Sequence, residues 1–250
     1  MHALVGKAAL LVGARRIGQV VARRLASEGM DIAIAYRSSR DEAEALRQDI
    51  EGMGRRSCLV QGDVGVEADV QRMVDEASKQ MDGLWAMVNL ASGFPHTPFN
   101  TLDGRAWDEA MGAAKGTYLL ALAAARRFME NDGPTRGHIV LFGDVAAGEA
   151  PYRGYLPYLT AKAAIQFMTR AFAVELGRHG ILVNAIAPGP TMRPPDVSEE
   201  AWERRIVGKT PLGRQSSAED IAEVVATLLK CDTITGEVIR VDSGQHLQGA

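Results

Sequence analysis

The sequence predicts a single doubly wound α/β domain over residues 1–250, with a parallel sheet of about seven strands and helices on both faces. Three observations predict it. Short apolar runs without alternation, such as Ala8–Val12 and His138–Phe142, read as strands buried on both faces. Stretches of helical periodicity separate them and make crossovers long enough for right-handed βαβ units. Gly13, Arg37, Asp63, Asn89, Asp144 and Pro188-Gly189 each follow a strand end, so they share the sheet edge where such folds bind ligands.

The elements follow in order. After Ala8–Val12 comes Gly13-Ala14-Arg15-Arg16-Ile17-Gly18, then a helix read from Val20, Val21, Ala22 and Leu25. Strand, glycine turn and helix is the context of a dinucleotide fingerprint; an ordinary βα turn is the plainer reading. Gly13 allows a tight turn and Gly18 a close helix–sheet approach, with the helix N-terminus toward a pyrophosphate. Asp31–Tyr36 is the second strand, ending in Arg37-Ser38-Ser39-Arg40. An acidic residue here would favour NAD through the ribose hydroxyl. Arg37 and Ser38 stand there instead and suit a 2′-phosphate, with Arg15 or Arg16 as further cations, so the expected cofactor is NADPH/NADP. The alternative is solvated charge with a serine N-cap for a helix beginning near Asp41. Ser57–Gln61 is a third strand, Val66–Met81 an amphipathic helix, and Trp85–Asn89 a fourth strand. A proline-bearing loop leads to an Ala- and Leu-rich helix over Arg105–Met129. The fifth strand, His138–Phe142, precedes Gly143-Asp144. A helix over Pro157–Leu176, a strand over Ile181–Ala187, helices over Ser198–Val207 and Ala218–Leu229, and a strand over Gly236–Val241 complete the chain. Residues 190–207 carry three prolines and are the candidate lid.

Composition narrows the classes. The 250 residues are 46% hydrophobic and 24% charged, enough for one sizeable core. A net charge of −3 leaves no basic footprint, so neither nucleic acid nor an acidic membrane is an expected partner. Cys58 and Cys231 show no metal-ligand spacing, and no metal is expected; they read as free thiols. The first apolar run is short and followed at once by Arg15-Arg16, which is not signal-peptide architecture. A cytoplasmic protein with a small-molecule substrate is expected.

Tyr158-Leu159-Thr160-Ala161-Lys162 is the stretch with the most chemistry. Residues four apart share a helix face, so an ammonium lies beneath a phenol. A phenol titrates near ~10 in isolation, and a fixed positive charge lowers that value. Such a tyrosine can trade a proton with a carbonyl or imine while a cofactor supplies hydride. An exposed Tyr/Lys pair on a helix is the plainer reading of the pair alone.

With these motifs in order, the chain resembles the short-chain dehydrogenase/reductase family over almost its whole length. The matching motifs are Gly13–Gly18, Asp63-Val64, Asn89-Leu90-Ala91, Tyr158-x-x-x-Lys162, Pro188-Gly189 and Thr235-Gly236…Val241-Asp242. The resemblance implies a Rossmann-type fold, a nicotinamide cofactor and Tyr158 as proton donor. It implies that Lys162 binds the ribose and lowers the tyrosine pKa. It also implies Asp63 and Val64 at the adenine, Asn89 and Ala91 near the ribose, and Pro188, Gly189 and Thr191 along the nicotinamide end. A homotetramer packed through the helices at 105–129 and 157–176 is the usual assembly. The chain departs from the pattern at four places. Its glycine loop is one residue short, with Arg16 near the usual middle glycine. Val12 replaces a threonine, Asp144 stands at the catalytic serine position, and Ala113 replaces an asparagine.

Arg16, Asp144 and Asn89-x-Ala91-Ser92-x-Phe94 resemble the pteridine reductase branch, which implies a substrate pocket at Ser92, Phe94 and Asp144 with Phe94 stacked on the pterin. An ionised aspartate accepts hydrogen bonds only, so it suits a substrate with N–H groups. The expected function is NADPH-dependent hydride transfer to a C=O or C=N group, with a dihydropterin as the candidate substrate. The alternatives are a general carbonyl or 3-oxoacyl thioester reductase, and a dinucleotide-binding protein without turnover.

Overall fold

The computed structural model of the chain describes residues 3–148, 151–193 and 197–247. Seven strands form one parallel sheet: β1 (Ala8–Val12), β2 (Asp31–Tyr36), β3 (Ser57–Gln61), β4 (Ala86–Asn89), β5 (Gly137–Phe142), β6 (Ile181–Pro188) and β7 (Val238–Val241), in the order β3-β2-β1-β4-β5-β6-β7. The order reverses between β1 and β4, which opens a crevice at their carboxyl ends. The helices are α1 (Ile17–Ser27), α2 (Arg40–Gly52), α3 (Glu67–Gln80), α4 (Gly104–Phe128), α5 (Leu156–Gly177), α6 (Glu199–Arg205) and α7 (Ala218–Lys230).

Alternation within buried strands builds two cores from one sheet. Leu10, Val12, Met87, Ile139 and Leu141 face α3, α4 and α5, where they join Met73, Phe128 and Ile165. Leu11, Ile32, Ile34 and Val88 face the other way, onto Val21 and Leu25 of α1 and Val225 and Leu229 of α7. A strand apolar at every position is what covering both faces demands. The expected doubly wound architecture is therefore present.

Local chemistry sets the ends. Asp103 accepts from the Ala106 amide at 2.8 Å and starts α4; Ser217 accepts from the Asp220 amide at 2.9 Å and starts α7. Ser39 occupies the N-cap position of α2 but makes no side-chain capping bond. β7 begins at Val238 rather than Gly236, because Gly236 turns through φ 82°, outside the strand region. α6 stops at Arg205 and a 3-10 turn at Val207–Lys209 follows, shortening the helix expected to Val207.

Within the candidate lid, residues 194–196 lie outside the described residues. Of the rest, Thr191 is buried, Ser198 caps α6 through the Ala201 amide at 3.2 Å, and the Trp202 indole donates to Gln215 at 2.8 Å. Among the described residues, no helix is long and apolar enough to cross a membrane.

Phe128 closes α4 with no exposed surface, its ring against Gly137 at the head of β5, where a Cβ would stand 2.4 Å from the ring. Phe128→Ala should lower unfolding free energy by about 3–5 kcal/mol through lost burial and a cavity. Denaturant unfolding of the two proteins checks this, and a loss under 1 kcal/mol would contradict the packing.

Candidate active site

The glycine turn between β1 and α1 is folded tightly against the end of β4. Gly13 adopts φ 94°, and a Cβ there would stand 2.7 Å from the Ala91 amide nitrogen. A Cβ at Gly18 would stand 2.0 Å from the Gly13 carbonyl oxygen. Only glycine serves either place. Arg16 takes φ 53° and ψ −115°, a backbone strain that a non-glycine residue holds only where its surroundings fix it. It occupies the N-cap of α1, where no side chain caps the helix and no acid lies in the first turn. The uncapped positive end of an eleven-residue helix therefore faces the crevice. Ile17 opens that helix.

The second strand ends in an exposed cationic corner. Arg37 is 3.5 Å from the Asp63 carboxylate, and its side chain is 73% exposed, so it is open to an anionic ligand. Asp63 also accepts from the Gly65 amide at 2.8 Å. These two residues, with Gln61, Gly62, Asp69 and Arg72, line a cleft of about 270 Å³. Ser38 is exposed beside it. Arg15 instead pairs with Glu42 at 3.5 Å. Val64 packs under α4, whose Gly116 leaves no room for a Cβ against the Val64 carbonyl.

Asn89 is buried, and both ends of its amide are occupied. It donates to Thr117 Oγ1 at 3.0 Å and accepts from the Ala91 amide at 3.1 Å. Its visible work is to fix the loop after β4 against α4, which sets where Ala91, Ser92 and Phe94 go. The Ser92 hydroxyl donates to the Gly93 carbonyl at 2.9 Å. At the other side of the crevice, Pro188 ends β6, the Gly189 amide donates to Val241, and Thr191 Oγ1 donates to the Gly189 carbonyl at 3.1 Å.

Asp144, Tyr158 and Lys162 come together, with one correction to the sequence expectation. The Tyr158 hydroxyl donates to Asp144 Oδ2 at 2.8 Å, while Asp144 Oδ1 accepts from the Ala146 amide at 2.9 Å. Lys162 Nζ donates to the Phe142 carbonyl at 2.8 Å and lies 5.8 Å from the Tyr158 ring centroid. The phenol was expected to titrate low beside the ammonium. Instead burial, and then the Asp144 carboxylate, push Tyr158 well above its ordinary value. The nearest charge to its oxygen is an anion, and the cation is engaged elsewhere. Burial likewise raises the Asp144 carboxyl, against the pull of the Tyr158 and Ala146 donors, and lowers Lys162 to about 8. Tyr158 is thus a fully protonated donor in this state.

Sequence reasoning missed the residues around this pair. Tyr155 stacks on Phe94 with centroids 4.4 Å apart, and Tyr152 and Tyr158 meet the Phe94 ring edge-on at 6.3 and 5.0 Å. Phe94 keeps 49% of its surface exposed beside these rings. His96 packs against Tyr155 and beneath Gly154, whose carbonyl accepts from the Thr97 amide at 2.7 Å; the β4 and β5 loops are clasped there. Gln166 donates to the Asp144 carbonyl at 2.7 Å. The three-residue spacing of Tyr152, Tyr155 and Tyr158 was a visible signal; Thr117 and Gln166 carried none.

The donor set fits a phosphorylated dinucleotide: a cradle that excludes any Cβ, an uncapped helix N-terminus, an open arginine at the next strand end, and a proton donor beyond. The comparisons with known proteins agree on the broad class. Residues 13–246 match the family model described as enoyl-(acyl carrier protein) reductase. The chain is 30% identical over 246 residues to a 3-oxoacyl-[acyl-carrier-protein] reductase of Staphylococcus aureus, covering 96% of this chain and 98% of that one. Among solved structures, a short chain dehydrogenase from Burkholderia cenocepacia in complex with NADP is 31% identical with a TM-score of 0.88, covering 98% of this chain and 99% of that one. FolM alternative dihydrofolate reductase 1 from Brucella suis in complex with NADP is 33% identical with a TM-score of 0.88, covering 98% and 96%.

The buried Lys162 makes a prediction about pH. Its folded value of about 8 lies below its ordinary 10.5, so between these limits the unfolded chain binds more protons than the folded one. Stability contributed by this residue therefore rises as pH climbs from about 8 to 10.5. Denaturant unfolding at several pH values should show wild type gaining on Lys162→Met across this window. Parallel pH profiles would contradict the buried ammonium.

Proposed function

The chain belongs to the short-chain dehydrogenase/reductase family, and on that premise we propose that it is an NADPH-dependent reductase of C=O or C=N groups whose preferred substrate is a flat, nitrogen-rich heterocycle of the dihydropterin kind. The observation that carries the reading is the 2.8 Å bond from the Tyr158 hydroxyl to Asp144, beside the half-exposed Phe94. A bound nicotinamide cofactor would supply the hydride. The NADP in the Burkholderia and Brucella relatives supports that choice, as does Arg37 where a ribose-binding acid would stand.

The residues of this chain would do the rest. Gly13, Gly18 and the start of α1 hold the pyrophosphate, and Arg37 and Ser38 the 2′-phosphate, with Arg15 or Arg16 as further cations. Asp63 and Val64 border the adenine, and Ala91 the ribose. Pro188, Gly189 and Thr191 border the nicotinamide, and residues 190–207 close over the substrate. Lys162 exchanges the Phe142 carbonyl for ribose hydroxyls. Phe94 offers a stacking face. Asp144 accepts from the amino and ring N–H groups of the substrate, freeing the Tyr158 hydroxyl to give its proton to the reduced heteroatom. A linear 3-oxoacyl chain brings no such donors to Asp144. The resemblance to the Staphylococcus reductase supports that substrate as the second reading. Exposed Tyr118, Phe167 and Val174 on α4 and α5 support a homotetramer built through these helices.

NADPH oxidation with a dihydropterin, 7,8-dihydrofolate and a 3-oxoacyl thioester tests the substrate. The dihydropterin should turn over best, and Asp144→Ser should lower that activity while raising the ketone rate. Reduction of the thioester alone would replace the first reading by the second. Tyr158→Phe removes one hydroxyl and keeps the ring, so turnover should fall by about a hundredfold or more, the scale of general acid–base catalysis. For the cofactor, binding titrations should find that Arg37→Asp weakens NADPH far more than NADH. Equal affinities in the wild type would count against a 2′-phosphate site.

A further inference from the structure

Three side chains of α5 meet the exit of β5. Tyr158, Lys162 and Gln166 stand at steps of four, so they share one helix face. Tyr158 donates to Asp144 Oδ2 at 2.8 Å, Lys162 to the Phe142 carbonyl at 2.8 Å, and Gln166 Nε2 to the Asp144 carbonyl at 2.7 Å. The turn that carries Asp144 is built around the glutamine. A Cβ at Gly143 would stand 2.8 Å from both Cγ and Nε2 of Gln166, so Gly143 leaves the space that the side chain fills. Gln166 Oε1 lies beside Gly148 at the far end of the same turn. Within the turn, the Ala146 amide donates to Asp144 Oδ1 at 2.9 Å and the Ala147 amide to the Asp144 carbonyl at 3.1 Å. Those bonds shape the turn from inside and do not set where it sits over α5. The bonds from Tyr158 and Gln166 do.

Resting on the reductase reading above, we propose that Gln166 is the positioning residue for Asp144. In that reading the other two donors change partners during turnover. Lys162 leaves the Phe142 carbonyl for ribose hydroxyls, and the Tyr158 hydroxyl leaves Asp144 for the substrate heteroatom. Gln166 has neither task. Its amide carries no charge and exchanges no proton at neutral pH, and its bond to the Asp144 main chain persists while the others move. It holds the carboxylate level with Tyr158, where Asp144 receives the N–H groups of the substrate. Gln166 thus acts on substrate choice through Asp144 alone.

Two variants test this. Gln166→Glu keeps the shape and replaces the donor by an ionised acceptor, which repels the carbonyl. Gln166→Leu removes the donor and keeps bulk against Gly143. The Asp144 carbonyl retains the Ala147 amide in both, so neither variant leaves it without a donor. KM for a dihydropterin should rise about tenfold, the scale of one hydrogen bond. The dissociation constant for NADPH should hold, and the rate with a small aldehyde, which brings no donors to Asp144, should not fall. In an Asp144→Ala background no carboxylate remains to be placed, so Gln166→Leu should cost nothing further. A purely structural strut would lower the melting temperature and leave KM and selectivity unchanged, and that result overturns the proposal. So does an equal loss with pterin and aldehyde, or a full added loss in the Asp144→Ala background. Another readout needs no turnover. Crystal structures of the variants should show the Asp144 carboxylate out of bonding reach of Tyr158. A bond that stays at 2.8 Å in both overturns the proposal whatever the kinetics. A wild type that reduces no dihydropterin sinks the substrate reading instead, and the variant structures still decide the role of Gln166.

Discussion

A buried ammonium organises the active end of this protein. Lys162 is held almost wholly out of water at the carboxyl end of β5, an arrangement that is costly unless acceptors and counter-charge are supplied. The Phe142 carbonyl supplies the direct bond and the Asp144 carboxylate supplies the nearby negative charge. Asp144 is in turn fixed by Ala146, by Tyr158 and, through its carbonyl, by Gln166. Ammonium, carboxylate and phenol thus form one network, in which the carboxylate bonds the phenol directly. The acid here makes the network differ in kind from one built on a serine hydroxyl, since it adds a charge and removes a donor.

The same logic explains why the phenol is protonated rather than primed as a phenolate. Desolvation and a neighbouring anion work together against ionisation, and an ammonium bonded elsewhere does little to oppose them. A phenol that holds its proton in this state is placed to donate it rather than to accept one. The aromatic residues Phe94, Tyr152 and Tyr155 add a wall that is partly stacked on itself and partly exposed.

At the other end of the crevice, the constraint is space rather than charge. The turn after β1 approaches the loop after β4 so closely that a single methyl group at Gly13 would collide with backbone. That loop is in turn fixed by Asn89 bridging to Thr117 on α4. The short glycine loop is accommodated by placing Arg16, not a glycine, in the left-handed region. The cationic side chain at that point is thereby combined with the uncapped end of α1.

Sequence alone determined the fold and the edge on which the site sits. Both depend on local signals: apolar runs such as Ala8–Val12, helical periodicity between them, and glycines where a strand must turn. It also determined that Tyr158, Lys162 and Asp144 belong together, because strand ends of a parallel sheet gather at one edge whatever the side chains do. What only the tertiary structure decided is which atoms of these residues meet. A four-residue spacing puts Tyr158 and Lys162 on one face, yet the ammonium turns to Phe142, twenty positions away in the chain, and the phenol to Asp144, fourteen away. Those partners are chosen by packing depth and by the need to satisfy buried polar groups, which no window of sequence contains. The direction of the Tyr158 shift, the structural use of Asn89 and the gathering of Tyr152 and Tyr155 around Phe94 all follow from that long-range choice.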